Sequence, residues 1–221
     1  MTASHPPTSG PAGTATARTS LRATGAVAAL LGGPLFLIGT VLHPGRDGYS
    51  IAAVGQLYGV THDVQAIGLL LQVISLVGVL ASGGLRLGRH AALGWYSAMA
   101  GTLAWFGLIV FDGSHNPVTA RYAPQIVHTP ADLDTGGAII VVPALLLFPI
   151  GYAVLASLLA RHGRRWTGLL LGTGAVVYTV GGLLIFISGP RSPFIQILEV
   201  AGATLYAAGF VALGRAVRRA A

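Results

Sequence analysis

Six long stretches of the chain carry apolar residues at almost every position, and polar residues gather between them. The stretches are Ala23–Leu42, Val64–Leu85, Ala91–Phe111, Gly137–Ala160, Trp166–Ser188 and Phe194–Gly214. A bilayer crossing takes about 20 such residues, and each stretch reaches that length. Only Glu199 puts a charge inside any of them. Backbone groups in lipid must find partners within their own segment, so the stretches predict helices rather than open strands. The expected fold is an all-α membrane protein, a bundle of six transmembrane helices over residues 21–216.

Residues 1–20 (MTASHPPTSGPAGTATARTS) offer little to bury and predict a disordered cytoplasmic tail. Residues 217–221 predict a short basic cytoplasmic tail. Arg18 and Arg22 before the first apolar run have the look of a signal peptide, but the run exceeds the usual h-region of about 7–15 residues, so it is expected to stay as the first helix. The links Arg86–His90 and Arg161–Arg165 are short, which pairs helices two with three and four with five. The opposite links His43–Asp63 and Asp112–Gly136 are long, and long loops in compact domains tend to carry function. VLAS at 79–82 recurs at 154–157, and GLIVF at 107–111 recurs as GLLIF at 182–186 with the same offset. The echo suggests a parallel hairpin repeat of helices two–three and four–five, a pattern found among transporters. Chance matches among Leu, Val, Gly and Ala are the competing explanation.

Charge orients the ladder. The chain of 221 residues is 53% hydrophobic and 9% charged, against about 25% charged in soluble domains. All 13 basic residues are Arg. Arg18, Arg22, Arg86, Arg89, Arg161, Arg164, Arg165, Arg215, Arg218 and Arg219 share one set of helix ends, with no acid among them. Basic loops stay in the cytoplasm, so both termini are expected there and the protein in the cell (cytoplasmic) membrane as a multi-pass chain. The net charge of +7 then faces anionic lipid headgroups rather than nucleic acid. The absence of Cys removes disulfides and thiolate metal sites. Arg without Lys, with abundant Ala and Gly, fits a high-GC bacterial genome.

The opposite ends hold the versatile side chains. His43-Pro44 closes the first helix, His62-Asp63 opens the second, and Asp112-Gly-Ser-His115-Asn-Pro117 closes the third. His128, Asp132 and Asp134 follow in the next loop. Imidazole with carboxylate suits a divalent metal or acid–base work. Candidate metal ligands are His43, His62 and His115; candidate catalytic groups are Glu199, Asp112, Asp63 and His115. No HExxH or other fixed metal spacing is present, Asp112-Gly113 and Asn116-Pro117 are also ordinary turn signals, and solvated helix ends explain any one of these residues alone. Haem fits poorly, since no His lies deep within a span.

Helix two carries a stripe of Asp63, Gln65, Gly68, Gln72, Ser75 and Ser82, at spacings that from Gln65 onward share a face. The stripe fits either interhelical hydrogen bonding or the wall of a polar cavity. Glu199, with Gln196 a turn above and Tyr206 below, is an intramembrane carboxylate, a functional hypothesis by default. A protonated or Arg191-paired structural Glu is the competing reading. Gln65, Gln72, Gln196 and Tyr206 are the candidate substrate contacts.

An apolar first helix ending in His43-Pro44, His62 at the opening of the second and Asp112-Gly113 closing the third resemble uncharacterised six-helix integral membrane proteins of actinobacteria. The resemblance implies a fold over 21–216 and an outer polar cluster, and no activity. Three function classes remain. The leading one is a membrane-embedded enzyme working by acid–base or metal-assisted chemistry on a lipophilic, isoprenoid or lipid-like substrate, through an outward cavity between helices one, two, three and six. The others are a small transporter component, expected to form a homo-oligomer, and a non-catalytic sensor, immunity or assembly protein.

Overall fold

The computed structural model describes residues 12–81, 83, 91–129 and 137–219. The described residues form seven helices: α1 (Ala12–Val41), α2 (Gly48–Val54), α3 (Gln56–Ala81), α4 (Ala91–Tyr122), α5 (Ala138–Arg161), α6 (Arg165–Ser188) and α7 (Pro193–Arg219). All except α2 are long and apolar enough to cross a membrane, so the chain is read as a multi-pass membrane protein. The tail expected over 1–20 falls partly outside the described residues, as do Asp132, Asp134, Ser82 and the link 86–90. Where the two meet, α1 already begins at Ala12, so residues 12–20 are helical.

The six long helices pack in chain order, α1 on α3, α3 on α4 and so on, and α7 returns against α1 to close a ring. Outward faces stay apolar, with Leu31 and Ile38 on α1, Leu70 and Ile74 on α3, and Leu146 and Ile150 on α5 exposed. A belt of this kind would be a liability in water and matches hydrocarbon. The middle of the ring is filled by aromatic side chains. Phe36 of α1 meets Tyr178 of α6 at 4.9 Å and Tyr206 of α7 at 5.7 Å, while Phe148 and Tyr152 of α5 meet Tyr206 at 5.4 and 4.9 Å. Tilted ring pairs contribute about 0.5–1.5 kcal/mol each beyond their buried area.

Three differences from the sequence expectation shape the region around His62 and Asp112. Helix α4 does not stop at Phe111 but runs through Asp112-Gly113 and past Pro117 to Tyr122. Turn propensity loses here because Asp112 and Asn116 find buried partners on one helical face (below). Helix α3 starts at Gln56 rather than Val64, which puts His62 and Asp63 inside it. The link between α1 and α3 also contains α2, capped by Asp47, whose carboxylate accepts from the Ser50 amide at 3.4 Å and hydroxyl at 2.5 Å. Gly55, at φ +55°, breaks α2 from α3 in a conformation glycine adopts freely.

Two glycines bring three helices together around His62. A Cβ on Gly39 of α1 would lie 2.7 Å from the Thr61 carbonyl oxygen, and a Cβ on Gly113 of α4 would lie 2.5 Å from the His62 Cβ. Small residues at crossings are how membrane helices approach closely. Gly113, which reads as a turn residue, serves contact instead.

Candidate functional site

The polar cluster forms where α1 leaves the bundle. His62 lies one turn after Tyr58 on α3, so the two side chains share a face, and their rings are 4.4 Å apart. His43, in the first turn of chain after α1, stands edge-on to both, 4.9 Å from Tyr58 and 4.7 Å from His62. Asp112 of α4 faces them. His62 Nε2 is 3.0 Å from Asp112 Oδ2, and His43 Nε2 is 3.4 Å from His62 Nε2. One ligand atom from each of His43, His62 and Asp112 lies within 4.8 Å of the other two, close enough to share one metal ion.

The second carboxylate oxygen of Asp112 is held by other groups. Oδ1 accepts from the Tyr58 hydroxyl at 2.9 Å and from the Asn116 amide, and lies 3.2 Å from His128 Nε2. Asn116 Nδ2 also reaches His128 Nε2 at 2.7 Å. His128 sits at φ +56°, a left-handed conformation that costs a non-glycine residue about 1 kcal/mol or more. The turn repays this by aiming the imidazole inward, where Nδ1 meets the Arg46 carbonyl at 2.7 Å.

Arg46 follows His43-Pro-Gly and turns back into the bundle. Its guanidinium donates to Gln196 Oε1 at 2.8 Å and to the carboxylate of Glu199, both on α7. Arg46 and Glu199 are 7% and 4% exposed, so this is a buried ion pair. Arg191, the candidate partner in the competing reading of Glu199, is exposed and bonds Asp47 at 3.2 Å instead.

Electrostatics at the cluster's edge follow from burial. His43 is held well below the usual imidazole range, first by burial and then by the Arg46 and His62 charges. Burial lowers Arg46 also. For Asp47, burial opposes ionisation, but hydrogen bonds from Ser50 and Arg191 overcome it and hold the carboxyl below its ordinary value.

A cavity of about 70 Å³ opens onto this cluster. His43, His62, Asp112, Arg46 and Glu199 line one end, and Leu108, Ile109, Val141, Leu145, Ile185 and Phe186 line much of the rest. Its walls come from α4, α5 and α6 as well as α3, α7 and the link after α1, a different set from helices one, two, three and six.

The remaining sequence candidates are placed as follows. His115 stacks on Phe111 at 4.7 Å and meets Thr119 Oγ1 at 3.1 Å, away from the three facing ligand atoms. Asp63 is exposed on the outer face of α3. Gln65 lines the cavity and donates to Thr40 Oγ1 at 3.0 Å. Gln196 positions Arg46 and donates to the Thr40 carbonyl at 3.0 Å. Gln72 and Tyr206 lie deeper and bond each other at 2.8 Å, with Gln72 also donating to the Gly32 carbonyl at 3.2 Å. They act as the interhelical glue weighed from the stripe.

Tyr58, Asn116 and Arg46 were missed by sequence reasoning. Tyr58 was discoverable, since it precedes His62 by one turn once α3 is extended backward. Arg46 had no local signal, because its partner is 153 positions away. No protein-family model, curated protein or solved structure matches the chain.

Proposed function

We propose that this protein is a membrane-embedded enzyme acting by acid–base or metal-assisted chemistry on a lipophilic substrate, isoprenoid or lipid-like. The observation that carries the reading is the cavity's polarity: apolar walls from three helices end on His43, His62, Asp112, Arg46 and Glu199. An apolar pocket with a few convergent polar groups is the usual form of a small-molecule site. In this reading an apolar portion of the substrate meets these walls, and its polar, reacting end meets the cluster.

Each polar residue has a distinct part in this reading. Asp112, steadied by Tyr58 and Asn116, is the general base or metal ligand. His43, kept neutral by its burial, is a base in the acid–base form of the reaction and a metal ligand in the metal-assisted form. Arg46 presents a fixed positive charge to an anionic group or developing oxyanion. Glu199 positions Arg46 rather than donating a proton, because its carboxylate is occupied by the guanidinium.

Six crossings put both ends of the bundle on one side. The arginine-rich ends belong in the cytoplasm by the positive-inside bias, so the cavity faces outward from the cell membrane. The test is direct. Purified protein is incubated with a bacterial lipid extract supplemented with polyprenyl phosphates, and products are followed by mass spectrometry. Conversion by wild type and its loss in a folded Asp112→Asn variant is the expected outcome. Equal product profiles for the two proteins would remove the enzymatic reading.

A further inference from the structure

We infer that His43, His62 and Asp112 bind a single divalent first-row transition metal ion, with Tyr58 and Asn116 orienting the carboxylate ligand and His128 holding the Asn116 amide. The inference deepens the enzymatic reading and rests on the same cluster, but it stands on its own accounting of protons.

Each imidazole presents Nδ1 to a backbone carbonyl. His43 Nδ1 is 2.7 Å from the Pro44 oxygen, His62 Nδ1 is 2.8 Å from the Tyr58 oxygen, and His128 Nδ1 is 2.7 Å from the Arg46 oxygen. A carbonyl oxygen only accepts, so each Nδ1 carries hydrogen and each neutral ring has a bare Nε2. Fixing the tautomer through a backbone carbonyl is the usual outer support of a metal-bound histidine.

The bare atoms then face one another. His43 Nε2 and His62 Nε2 are 3.4 Å apart, and His62 Nε2 is 3.0 Å from Asp112 Oδ2. Three acceptors at this spacing repel unless a cation stands among them. Ligands about 2.0–2.1 Å from a tetrahedral zinc are roughly 3.3 Å from each other; two pairs here stand at 3.4 and 3.0 Å, and all three atoms lie within 4.8 Å of one another. Asp112 Oδ1 is already taken by Tyr58 and Asn116, so Oδ2 is the oxygen left for the ion.

The charge inventory agrees. Arg46 is committed to Glu199, which leaves the Asp112 carboxylate without a guanidinium in this buried cluster. Buried charges are paired or coordinate metals. Two imidazoles and one carboxylate form a donor set that suits zinc or iron(II), with coordination positions left over. Those positions face the cavity. Gln65 Oε1, buried in the same wall, has no hydrogen-bond partner among the described residues and is available to a metal-bound water.

The experiment uses the full chain with a histidine-free affinity tag, purified in detergent. Elemental analysis is expected to find about one equivalent of zinc or iron per chain, and to say which. That content should fall at least fivefold in His43→Ala, His62→Ala and Asp112→Asn, and persist in His115→Ala, whose ring lies outside the trio. To separate ligand loss from misfolding, wild type is stripped with chelator, checked for retained helicity by circular dichroism, and titrated with Co²⁺. Saturable visible absorption at one equivalent supports the inference. A metal-free wild type with no cobalt spectrum overturns it and assigns the bridging cation to a proton on His62. Full stoichiometry in a folded His62→Ala protein overturns it as well. Metal without turnover supports this inference while removing the enzymatic reading; turnover by metal-free protein overturns this inference and leaves the enzyme standing.

Discussion

Replacing Glu199 with Leu isolates the buried ion pair. Among the described residues, the guanidinium of Arg46 then keeps only the Gln196 carbonyl as a side-chain acceptor, in a setting where it is 7% exposed. Breaking a buried pair by removing one partner costs about 3–5 kcal/mol, because the survivor is a desolvated, uncompensated charge. At about 1.4 kcal/mol per factor of ten, that lowers the folded-to-unfolded ratio by roughly two to three and a half decades. Arg46→Met should cost a similar amount by stranding the carboxylate. The double variant should be more stable than either single one, since apolar replacement of a buried pair is often neutral or stabilising by about 1–4 kcal/mol. Arg46→Met keeps the backbone carbonyl that receives His128, so the double variant retains the metal trio while losing the positive charge in the cavity. The assay is reversible unfolding in mixed micelles of increasing SDS content, followed by helical circular dichroism. Single variants costing under about 1 kcal/mol, or effects that add rather than cancel, would refute the claim that this pair is desolvated and mutually dependent.

Two further predictions test how the helices hold the site. Gly39→Val should cost about 1–3 kcal/mol by overpacking and reduce metal content, because its Cβ would press on the Thr61 carbonyl beside His62; Gly107→Ala, with open space around it, should stay within about 0.5 kcal/mol. Tyr206→Phe should destabilise by about 1–2 kcal/mol, leaving Gln72 Oε1 without its donor, while the Michaelis constant for any substrate found stays unchanged, as befits a residue outside the cavity.

Much of this architecture was readable because lipid imposes a simple rule. Length and apolarity alone locate six crossings, since an unsatisfied backbone in hydrocarbon is too costly for the chain to do anything else. The helix ends were less readable for the converse reason. Beyond the apolar stretch, propensity and tertiary contact compete. The DGSHNP segment signals a turn, but Asp112 and Asn116 bury hydrogen bonds worth more than the turn would return. The site followed the same division. His43, His62 and Asp112 were readable as polar residues on neighbouring segments, and the fold brings their side chains together. His115 entered on type and proximity alone, and only the register of α4 shows that it points to Phe111 rather than to Asp112. Arg46 was unreadable because a long-range ion pair leaves no spacing in the chain.

The depth at which polarity stops bears on transport. A permeation path needs polar or hydrated lining across the whole thickness of the bundle. Below Gln65 the ring interior is occupied by Phe36, Phe148, Tyr178 and Tyr206 in mutual contact. The hydroxyls there are spent on fixed partners, Tyr206 on Gln72 and Tyr152 on Thr102 at 2.8 Å each. An ion moving through would have to separate these rings and break those bonds without replacing them, at a cost of several kcal/mol per stranded polar group. The His/Asp cluster therefore sits at one end of the bundle above packed rings, an arrangement that favours the proposed pocket over a continuous path.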